Sequence, residues 1–371
     1  MRIRVRHYAT QLPVEIVREN GCIVEIAPLV ENGDDPPFIA PALFDLQING
    51  AFGHSFNSPD LSVEHIRAVV DLCRLHGIAA LLPTLVTQAH ESIVHGFRTL
   101  TLARNDDAFI RRAVPGYHLE GPYISADDGP RGAHPREHVR KPNWDEFRRF
   151  QDAADGLIKL VTLAPEHDGA TDFIERLTRA GVVVALGHTA ANAGQIRDAI
   201  AAGAKLSTHL GNGAHAVLPR HDNYIWEQLA ADDLWASVIP DGHHLPASVL
   251  KSIVRGKSPD RLVITCDASS LAGLPPGRYP QWGTEFEVME DGRIVVPGTP
   301  FLAGSGMFTD ECLLPMMQAT GLSLAAVIDM ATAQPRRLLR LEDGGLAVGS
   351  AAPLMLFRLR ESKFVVESLL D

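Results

Sequence analysis

The chain has 371 residues, of which 46% are hydrophobic, and a formal net charge of −11 from 34 basic and 45 acidic side chains. This acidic excess argues against nucleic acid or an anionic membrane as the main partner. No apolar stretch approaches the roughly 20 residues that a membrane-spanning helix needs. The first six residues alternate apolar and basic side chains, as a half-buried strand does and a signal peptide does not, so we expect a cytoplasmic protein.

The apolar pattern predicts a barrel framed by strands from both termini. Residues 1–40 have the character of short strands, with turn sequences at Asn20-Gly21 and Asn32-Gly33. From about Pro41, short apolar runs alternate with amphipathic helical stretches, which is typical of a parallel sheet. Eight such runs, the number in a (β/α)₈ barrel, lie at 43–48, 79–85, 114–119, 158–163, 182–186, 205–208, 235–239 and 262–266.

Helical patterns separate these runs and continue after the last of them. The predicted barrel helices are 63–76, 91–104, 144–153, 170–180, 193–202, 224–231 and 247–255. After the eighth strand we predict a hairpin at 286–289 and 293–296, with its turn at Asp291-Gly292, and then helices at 308–320 and 324–331. The tail, 354–359 and 364–369, returns to strand character and is expected to pair with the N-terminal strands.

Four polar residues follow separate apolar runs directly: Glu120, His188, His209 and Asp267. Residues at the C-terminal ends of barrel strands converge on one face. A carboxylate and two imidazoles can hold a divalent cation such as zinc and leave one position open for water or substrate. A further carboxylate can then take a proton from that water. Each residue also has a plainer interpretation, such as a helix cap for Asp267, but together the four favour a metal-dependent hydrolase.

A competing motif occurs at residues 211–216, where GNGAHA fits the glycine-rich dinucleotide fingerprint. In a nicotinamide enzyme a helix would open at this point, but Pro219 follows too soon for that. The order of strands and helices elsewhere is also not that of a doubly wound sheet. We therefore prefer the hydrolase.

Taken in order, these segments resemble the N-acetylglucosamine-6-phosphate deacetylase family of the amidohydrolase superfamily. The resemblance covers nearly the whole chain and is carried by PALFDLQING at 41–50, HLEGP at 118–122, VTLAPE at 161–166, GHT at 187–189, THL at 208–210, DGHH at 241–244, TCDA at 265–268 and LAGS at 302–305. It implies an amidohydrolase-type TIM barrel at 43–345. It also implies a small β-sandwich domain formed by both termini, 1–42 and 346–371.

The resemblance further implies roles for individual residues. Glu120, His188 and His209 match the metal ligands of the family, and Asp267 matches its general base. His134 matches a histidine that helps to polarise the acetyl carbonyl. The positions that hold the sugar phosphate are matched by Asn212, Gly213, Arg220 and His244. In the family this arginine reaches in from a neighbouring subunit, which implies a homodimer.

Two features depart from wider patterns. Many amidohydrolases carry H-x-H on the first strand to hold a second metal, but here Gln47 and Asn49 occupy those positions. Amides bind such cations poorly compared with imidazole, so we expect one divalent ion, zinc by preference, with iron and cobalt as alternatives. After Arg220 the chain continues with His221 and Asp222, and an acidic side chain beside that arginine weakens the case for a phosphate.

The expected reaction is hydrolysis of the N-acetyl group of N-acetylglucosamine 6-phosphate, a small-molecule substrate. Alternatives with the same chemistry are another N-acetyl hexosamine, of the galactosamine type or unphosphorylated, and an N-acyl amino acid. A catalytically silent sugar-binding protein is an alternative of another class, although such a protein would have no need of Asp267.

Overall fold

The computed structural model describes residues 1–30, 33, 35–281, 284–299, 301–341, 344–361 and 363–371, so the turn expected at Asn32-Gly33 lies partly outside the described residues. The strands in chain order are β1 (Arg2–His7), β2 (Pro13–Glu19), β3 (Cys22–Pro28), β4 (Phe38–Pro41), β5 (Leu43–Ile48), β6 (Gly50–Ala51), β7 (His54–Ser55), β8 (Ile78–Val86), β9 (Tyr117–Glu120), β10 (Ile158–Leu163), β11 (Val183–Leu186), β12 (Leu206–Ser207), β13 (Trp235–Val238), β14 (Leu262–Ile264), β15 (Gly277–Gln281), β16 (Thr284–Val288), β17 (Ile294–Val295), β18 (Leu354–Arg360) and β19 (Lys363–Leu370).

The helices are α1 (Val63–Leu75), α2 (His90–Asp106), α3 (Ala108–Ala113), α4 (Trp144–Ala153), α5 (Ala170–Arg179), α6 (Ala193–Ala201), α7 (Tyr224–Ala230), α8 (Ala247–Lys257), α9 (Thr309–Thr320), α10 (Leu324–Met330) and α11 (Ala333–Leu338). No helix in the described part of the chain is long and apolar enough to cross a membrane.

Eight parallel strands form the predicted barrel. Their order is β5-β8-β9-β10-β11-β12-β13-β14, so each strand pairs with the next barrel strand in sequence. The first and last strands approach each other through a parallel bridge between Ile48 and Ala268, and the Asn49 N–H donates to the Ala268 carbonyl at 2.9 Å. The fold-class prediction is confirmed.

The predicted boundaries agree with the observed ones to within a few residues. Strand β10 and helix α4 coincide with their predictions, whereas β9 begins three residues later than expected. The delay arises because Val114 caps the short helix α3, which the apolar pattern did not reveal. Helix α11 and strand β15 were also missed, because elements of five or six residues are too short to display a hydrophobic period.

The interior of the barrel changes from apolar to polar along the strands. An apolar cluster including Phe44, Leu46 and Leu160 fills one end, and Leu338 of α11 packs into it. Nearer the C-terminal ends, His118 of β9 contacts Thr84 Oγ1 at 3.3 Å and Thr162 Oγ1 at 2.8 Å. This polar layer lies next to Glu120, so the strands present polar groups to one mouth of the barrel.

Both termini combine in one six-stranded sheet, in the order β19-β18-β4-β1-β2-β3. Strand β18 pairs antiparallel with β4, which joins the C-terminal hairpin to the N-terminal strands as expected. Val5, Ile16, Ile39 and Leu354 belong to a separate apolar core beneath this sheet. The limits of this domain, 1–42 and 346–371, stay a prediction.

A small sheet is inserted between β14 and α9. Strands β15, β16 and β17 pair antiparallel in sequence order, and the turn between β16 and β17 contains Asp291 and Gly292 as predicted. Gly292 has φ +85°, the left-handed conformation that glycine adopts without strain. Phe286, Val288 and Ile294 pack with Leu271, so the sheet is anchored by its own apolar cluster.

Candidate metal centre and substrate cavity

The four polar residues singled out in the sequence end or follow four strands of the barrel. Glu120 is the last residue of β9, and His188, His209 and Asp267 lie just beyond β11, β12 and β14. These three have φ values of +51°, +31° and +52°. Such backbone is uncommon for residues other than glycine and tends to occur where function requires it. The side chains of Glu120, His188 and His209 are buried at the mouth of the barrel, and that of Asp267 is partly buried beside them.

The donor atoms of Glu120, His188 and His209 converge. His188 Nε2 and His209 Nε2 are 3.1 Å apart, and they lie 3.3 Å and 3.2 Å from Glu120 Oε1. A tetrahedral cation with bonds of about 2.0–2.2 Å separates its ligand atoms by about 3.3–3.6 Å. The three donors therefore have nearly the spacing that such an ion requires.

His134 lies at the edge of this group. Its Nε2 atom is 4.0 Å from Glu120 Oε2, and Glu120, His134 and His188 form a second set of donor atoms within 4.8 Å of one another. His209 Nε2 lies nearer to Glu120 than His134 Nε2 does and is 3.1 Å from His188 Nε2, so we take Glu120, His188 and His209 as the ligand set. His134 is left beside the site, with no hydrogen-bond partner for its buried Nδ1 among the described residues.

Charges in the centre depend on burial and on these contacts. Burial by itself raises the pKa of Glu120, but the close contacts with His188 and His209 hold it well below its usual value. Burial and the neighbouring imidazole of His188 lower the pKa of His134 to about 3. At neutral pH Glu120 is therefore an anion, as a metal ligand must be. His134 is a neutral imidazole, which can still donate one N–H hydrogen bond to polarise a carbonyl group.

Neighbouring groups fix the ring of His188. Its Nδ1 atom lies 2.7 Å from the Pro130 carbonyl oxygen, to which it donates, and this leaves Nε2 unprotonated and free to coordinate. A Cβ atom on Gly213 would lie 2.9 Å from Nδ1, and Gly213 has φ +55°. Only glycine fits at position 213 without moving the ring.

The two amides that replace the H-x-H motif hold the two carboxylates of the site, one each. Asn49 Nδ2 donates to Asp267 Oδ1 at 2.7 Å, and Gln47 Nε2 donates to Glu120 Oε1 at 2.9 Å. Burial and the negative charge of Glu120 raise the pKa of Asp267 well above its usual value. A divalent cation bound to Glu120 would offset the negative charge of Glu120, and it would therefore favour the ionised form of Asp267.

These residues share one cavity of about 440 Å³, large enough for a sugar phosphate. His134, Asn212, Gly213 and His244 line it together with the candidate metal ligands and Asp267. Asn212 Nδ2 is buried there without a hydrogen-bond partner among the described residues. Arg220 is exposed and does not line the cavity of its own chain.

His244 is oriented by a carboxylate. Asp241 Oδ2 accepts hydrogen bonds from His244 Nδ1 at 2.7 Å and from Ser305 Oγ at 2.9 Å. Although burial opposes it, the contact with His244 lowers the pKa of Asp241 to about 2. Asp241 is thus a permanent anion that leaves the other ring nitrogen of His244 for a ligand.

Several cavity residues were not singled out as site residues from the sequence. They are Asn49 at the end of the first barrel strand, and Gln281, Phe286, Arg293 and Phe301 in and around the inserted sheet. Asn49 follows β5 just as the four polar residues follow theirs, so the same rule could have identified it. The inserted sheet follows the last barrel strand and so begins at the C-terminal face, where loops build active sites. That position in the sequence was the indication that its residues could reach the cavity.

Comparison with known proteins identifies the family. The amidohydrolase family model matches residues 38–369. The chain belongs to the amidohydrolase family. It is 36% identical over 316 residues to N-acetylglucosamine-6-phosphate deacetylase of Bos taurus, covering 82% of this chain and 75% of that one. It is 31% identical over 341 residues to N-acetylgalactosamine-6-phosphate deacetylase of Escherichia coli O157:H7, covering 90% and 86%.

Solved structures agree with this assignment. N-acetyl-D-glucosamine-6-phosphate deacetylase from Mycobacterium smegmatis superposes with a TM-score of 0.88 at 28% identity, covering 99% of this chain and 96% of that one. A mutant of the Mycobacterium smegmatis enzyme, in complex with N-acetyl-D-glucosamine-6-phosphate, gives a TM-score of 0.84 at 28% identity with 95% of each chain covered. The predicted resemblance is confirmed, and the chain is a hydrolytic enzyme of this family.

Proposed function

We propose that this protein removes the N-acetyl group of an amino-sugar phosphate, converting N-acetylglucosamine 6-phosphate and water into glucosamine 6-phosphate and acetate. The observation that carries the proposal is the convergence of Glu120, His188 and His209 within 3.3 Å, with Asp267 in the same cavity. The relatives named above support the substrate class, since both act on N-acetyl hexosamine 6-phosphates by name.

The cation site in this proposal consists of Glu120, His188 and His209. Its two imidazoles and one carboxylate suit one divalent ion, zinc by preference, with iron or cobalt as alternatives. Gln47 and Asn49 donate hydrogen bonds to carboxylates, which supports a single ion over a pair. A cation held there supplies Lewis-acid polarisation of the acetyl carbonyl and lowers the pKa of water.

Two residues of this chain then transfer the proton and stabilise the negative charge that develops on the carbonyl oxygen. Asp267 takes a proton from the attacking water as the water oxygen bonds to the carbonyl carbon. His134, neutral because burial lowers its pKa, donates an N–H hydrogen bond to the carbonyl oxygen as negative charge develops there. Asp267 returns its proton to the sugar nitrogen while the C–N bond breaks, so the amine leaves neutral and the acetyl group leaves as the acid.

The sugar phosphate itself is assigned to the outer cavity. Asn212, Gly213 and His244 line it. They offer an amide nitrogen with no hydrogen-bond partner in the described part of the chain, a glycine backbone, and an imidazole oriented by Asp241. Arg220 is assigned to the cavity of a second copy in a homodimer, because it is exposed and absent from the cavity of its own chain. The cytoplasmic location belongs to the proposal as well.

The test is acetate release by purified protein with a measured metal content. The panel contains N-acetylglucosamine and N-acetylgalactosamine, each with and without the 6-phosphate. We expect the highest kcat/KM for N-acetylglucosamine 6-phosphate and loss of activity after chelation, with recovery on adding zinc. Binding of the sugar phosphate without acetate release, at full metal content, would contradict the proposal.

A galactosamine-type substrate is the second candidate. It rests on the relative from Escherichia coli O157:H7, which covers 90% of this chain at 31% identity. The two sugars differ in configuration at one carbon, so the same panel separates them. A higher kcat/KM for N-acetylgalactosamine 6-phosphate would favour this candidate.

A further inference from the structure

We propose that Arg293, on the inserted sheet, binds the anionic group of the substrate from within the same chain and thereby selects phosphorylated sugars. This inference rests on the proposed function, which it deepens by naming a specificity residue. It would allow the cavity to recognise the anion before any neighbouring subunit contributes Arg220.

Arg293 is the one lysine or arginine among the described residues that line the cavity. Its Nε atom donates to Asp291 Oδ2 at 2.8 Å, and its two terminal nitrogens have no hydrogen-bond partner among the described residues. An arginine held through Nε keeps its remaining donors in a fixed fork, which matches two oxygens of a phosphate or carboxylate. The ligand chemistry is therefore a multi-oxygen anion.

The turn that carries Arg293 is fixed against the catalytic loop. The residue after it, Ile294, accepts a hydrogen bond from Ala303 N–H at 3.0 Å, and Ser305 N–H donates to the Asp267 carbonyl at 2.9 Å. A Cβ on Gly306 would lie 2.0 Å from the Gly292 carbonyl oxygen, so the two backbones are in direct contact. Arg293 is thus held in a set position relative to Asp267.

Charge across the cavity favours an anion beside Arg293. Glu120 is buried and Asp267 partly buried in the depth of the site, and they repel a second anion there. The Arg293 side chain is 43% exposed, which places it towards solvent. Phe286 and Phe301 line the cavity too, and apolar neighbours reduce the screening of an ion pair. A substrate with its acetyl group at Asp267 would therefore place its anionic group nearer the rim.

The experiment compares Arg293→Gln with Arg278→Gln in the metal-loaded protein. Arg278 belongs to the same sheet, in β15, and is likewise paired with a carboxylate, Glu285 at 3.0 Å, but unlike Arg293 it does not line the cavity. For each variant we would measure kcat and KM for N-acetylglucosamine with and without the 6-phosphate. Binding of glucosamine 6-phosphate and of glucosamine would be measured by calorimetry.

We expect Arg293→Gln to raise KM for the phosphorylated sugar about 10- to 100-fold, the range for losing a charge-assisted hydrogen bond in a binding site. Values for the unphosphorylated sugar should not change, Arg278→Gln should behave as the wild type, and Arg293→Lys should recover part of the loss. An equal effect on both sugars, or no effect on either, overturns the inference.

Failure of the proposed function has a different signature. In that case the wild type releases acetate from neither sugar. If the wild type still binds glucosamine 6-phosphate more tightly than glucosamine and Arg293→Gln abolishes the difference, the inference holds without the deacetylase. If the wild type binds both sugars alike, the inference fails whatever the reaction is.

Discussion

The depth and the rim of the cavity are built in different ways. In the depth, Glu120, His188, His209 and Asp267 stand at or just beyond the ends of barrel strands; the first three are buried and Asp267 is partly buried. At the rim, Arg293 and Phe301 come from the inserted sheet and the segment after it, and both are partly exposed. The strand ends fix the positions of the reacting groups. The residues of the rim depend on which loops and inserted strands cover the mouth of the barrel.

This difference explains how one barrel can keep its chemistry and change its substrate. The donor atoms at the strand ends are spaced within 3.3 Å by a parallel sheet that eight strands share. The rim, by contrast, can accept new side chains without disturbing that sheet. Substitutions in the depth should therefore affect turnover or metal content, and substitutions at the rim should affect KM.

The largest effect is expected for Asp267→Asn. The amide keeps the shape and the hydrogen bonding of the site but cannot accept a proton from water, so kcat should fall about 10²- to 10⁴-fold. The metal content, measured by elemental analysis, should stay at the wild-type level. Near wild-type kcat would show that another group is the base.

Gly213→Ala should weaken cation binding. The new Cβ would press on His188, and a disturbed ligand orientation typically costs about 10- to 100-fold in metal affinity. Gly181→Ala is the matched control, because Gly181 also has a left-handed φ of +78° but nothing within 4 Å of its would-be Cβ. Competition with a chelator measures the affinity. Equal losses in the two variants would point to backbone strain alone.

Asp241→Asn should act on substrate binding. The amide nitrogen would replace either Oδ2, which accepts from His244 Nδ1 and the Ser305 hydroxyl, or Oδ1, which accepts from the backbone N–H groups of His243 and His244. In both cases His244 would lose part of what fixes its orientation. We expect KM for the phosphorylated sugar to rise about tenfold, the effect of one lost hydrogen bond, with a smaller change in kcat. Steady-state kinetics checks this split, and a fall in kcat alone would contradict it.

The smallest effect is expected for Asn49→Leu and depends on pH. Asn49 donates to the ionised form of Asp267, so its loss should raise the pKa of Asp267 further. Because the base acts when ionised, the acid limb of kcat/KM should move to higher pH, by about one unit for one hydrogen bond. Activity on the alkaline plateau should be retained. An acid limb that stays in place or moves to lower pH would rule out this role for Asn49.

Most of the fold could be predicted because it depends on local pattern. The runs at 43–48 and 158–163 coincide with β5 and β10, since a buried parallel strand is a continuous apolar run. Helix α3 and strand β15 were missed because six and five residues are too few to reveal a period. The arrangement of the terminal strands in one sheet follows from pairing between β4 and β18, which are more than 300 residues apart.

The candidate site was predictable only in part. The rule that barrel strand ends meet on one face brought Glu120, His188, His209 and Asp267 together, and their donor atoms or cavity positions agree with it. Their individual roles stay predictions. Arg293 was assigned only to a hairpin, because nothing in the local sequence Asp291-Gly292-Arg293 indicates that this turn packs over the cavity.

The sequence by itself determined the order of the strands and the residues at their ends, because hydrophobic periodicity and the barrel rule act on neighbouring residues. The tertiary structure decided which distant groups meet. Asn49 reaches Asp267 across 218 residues, Gly213 leaves room for the ring of His188, and the inserted sheet brings Arg293 to the cavity. Contacts of this kind depend on packing between elements, and a single sequence does not encode that packing in any local pattern.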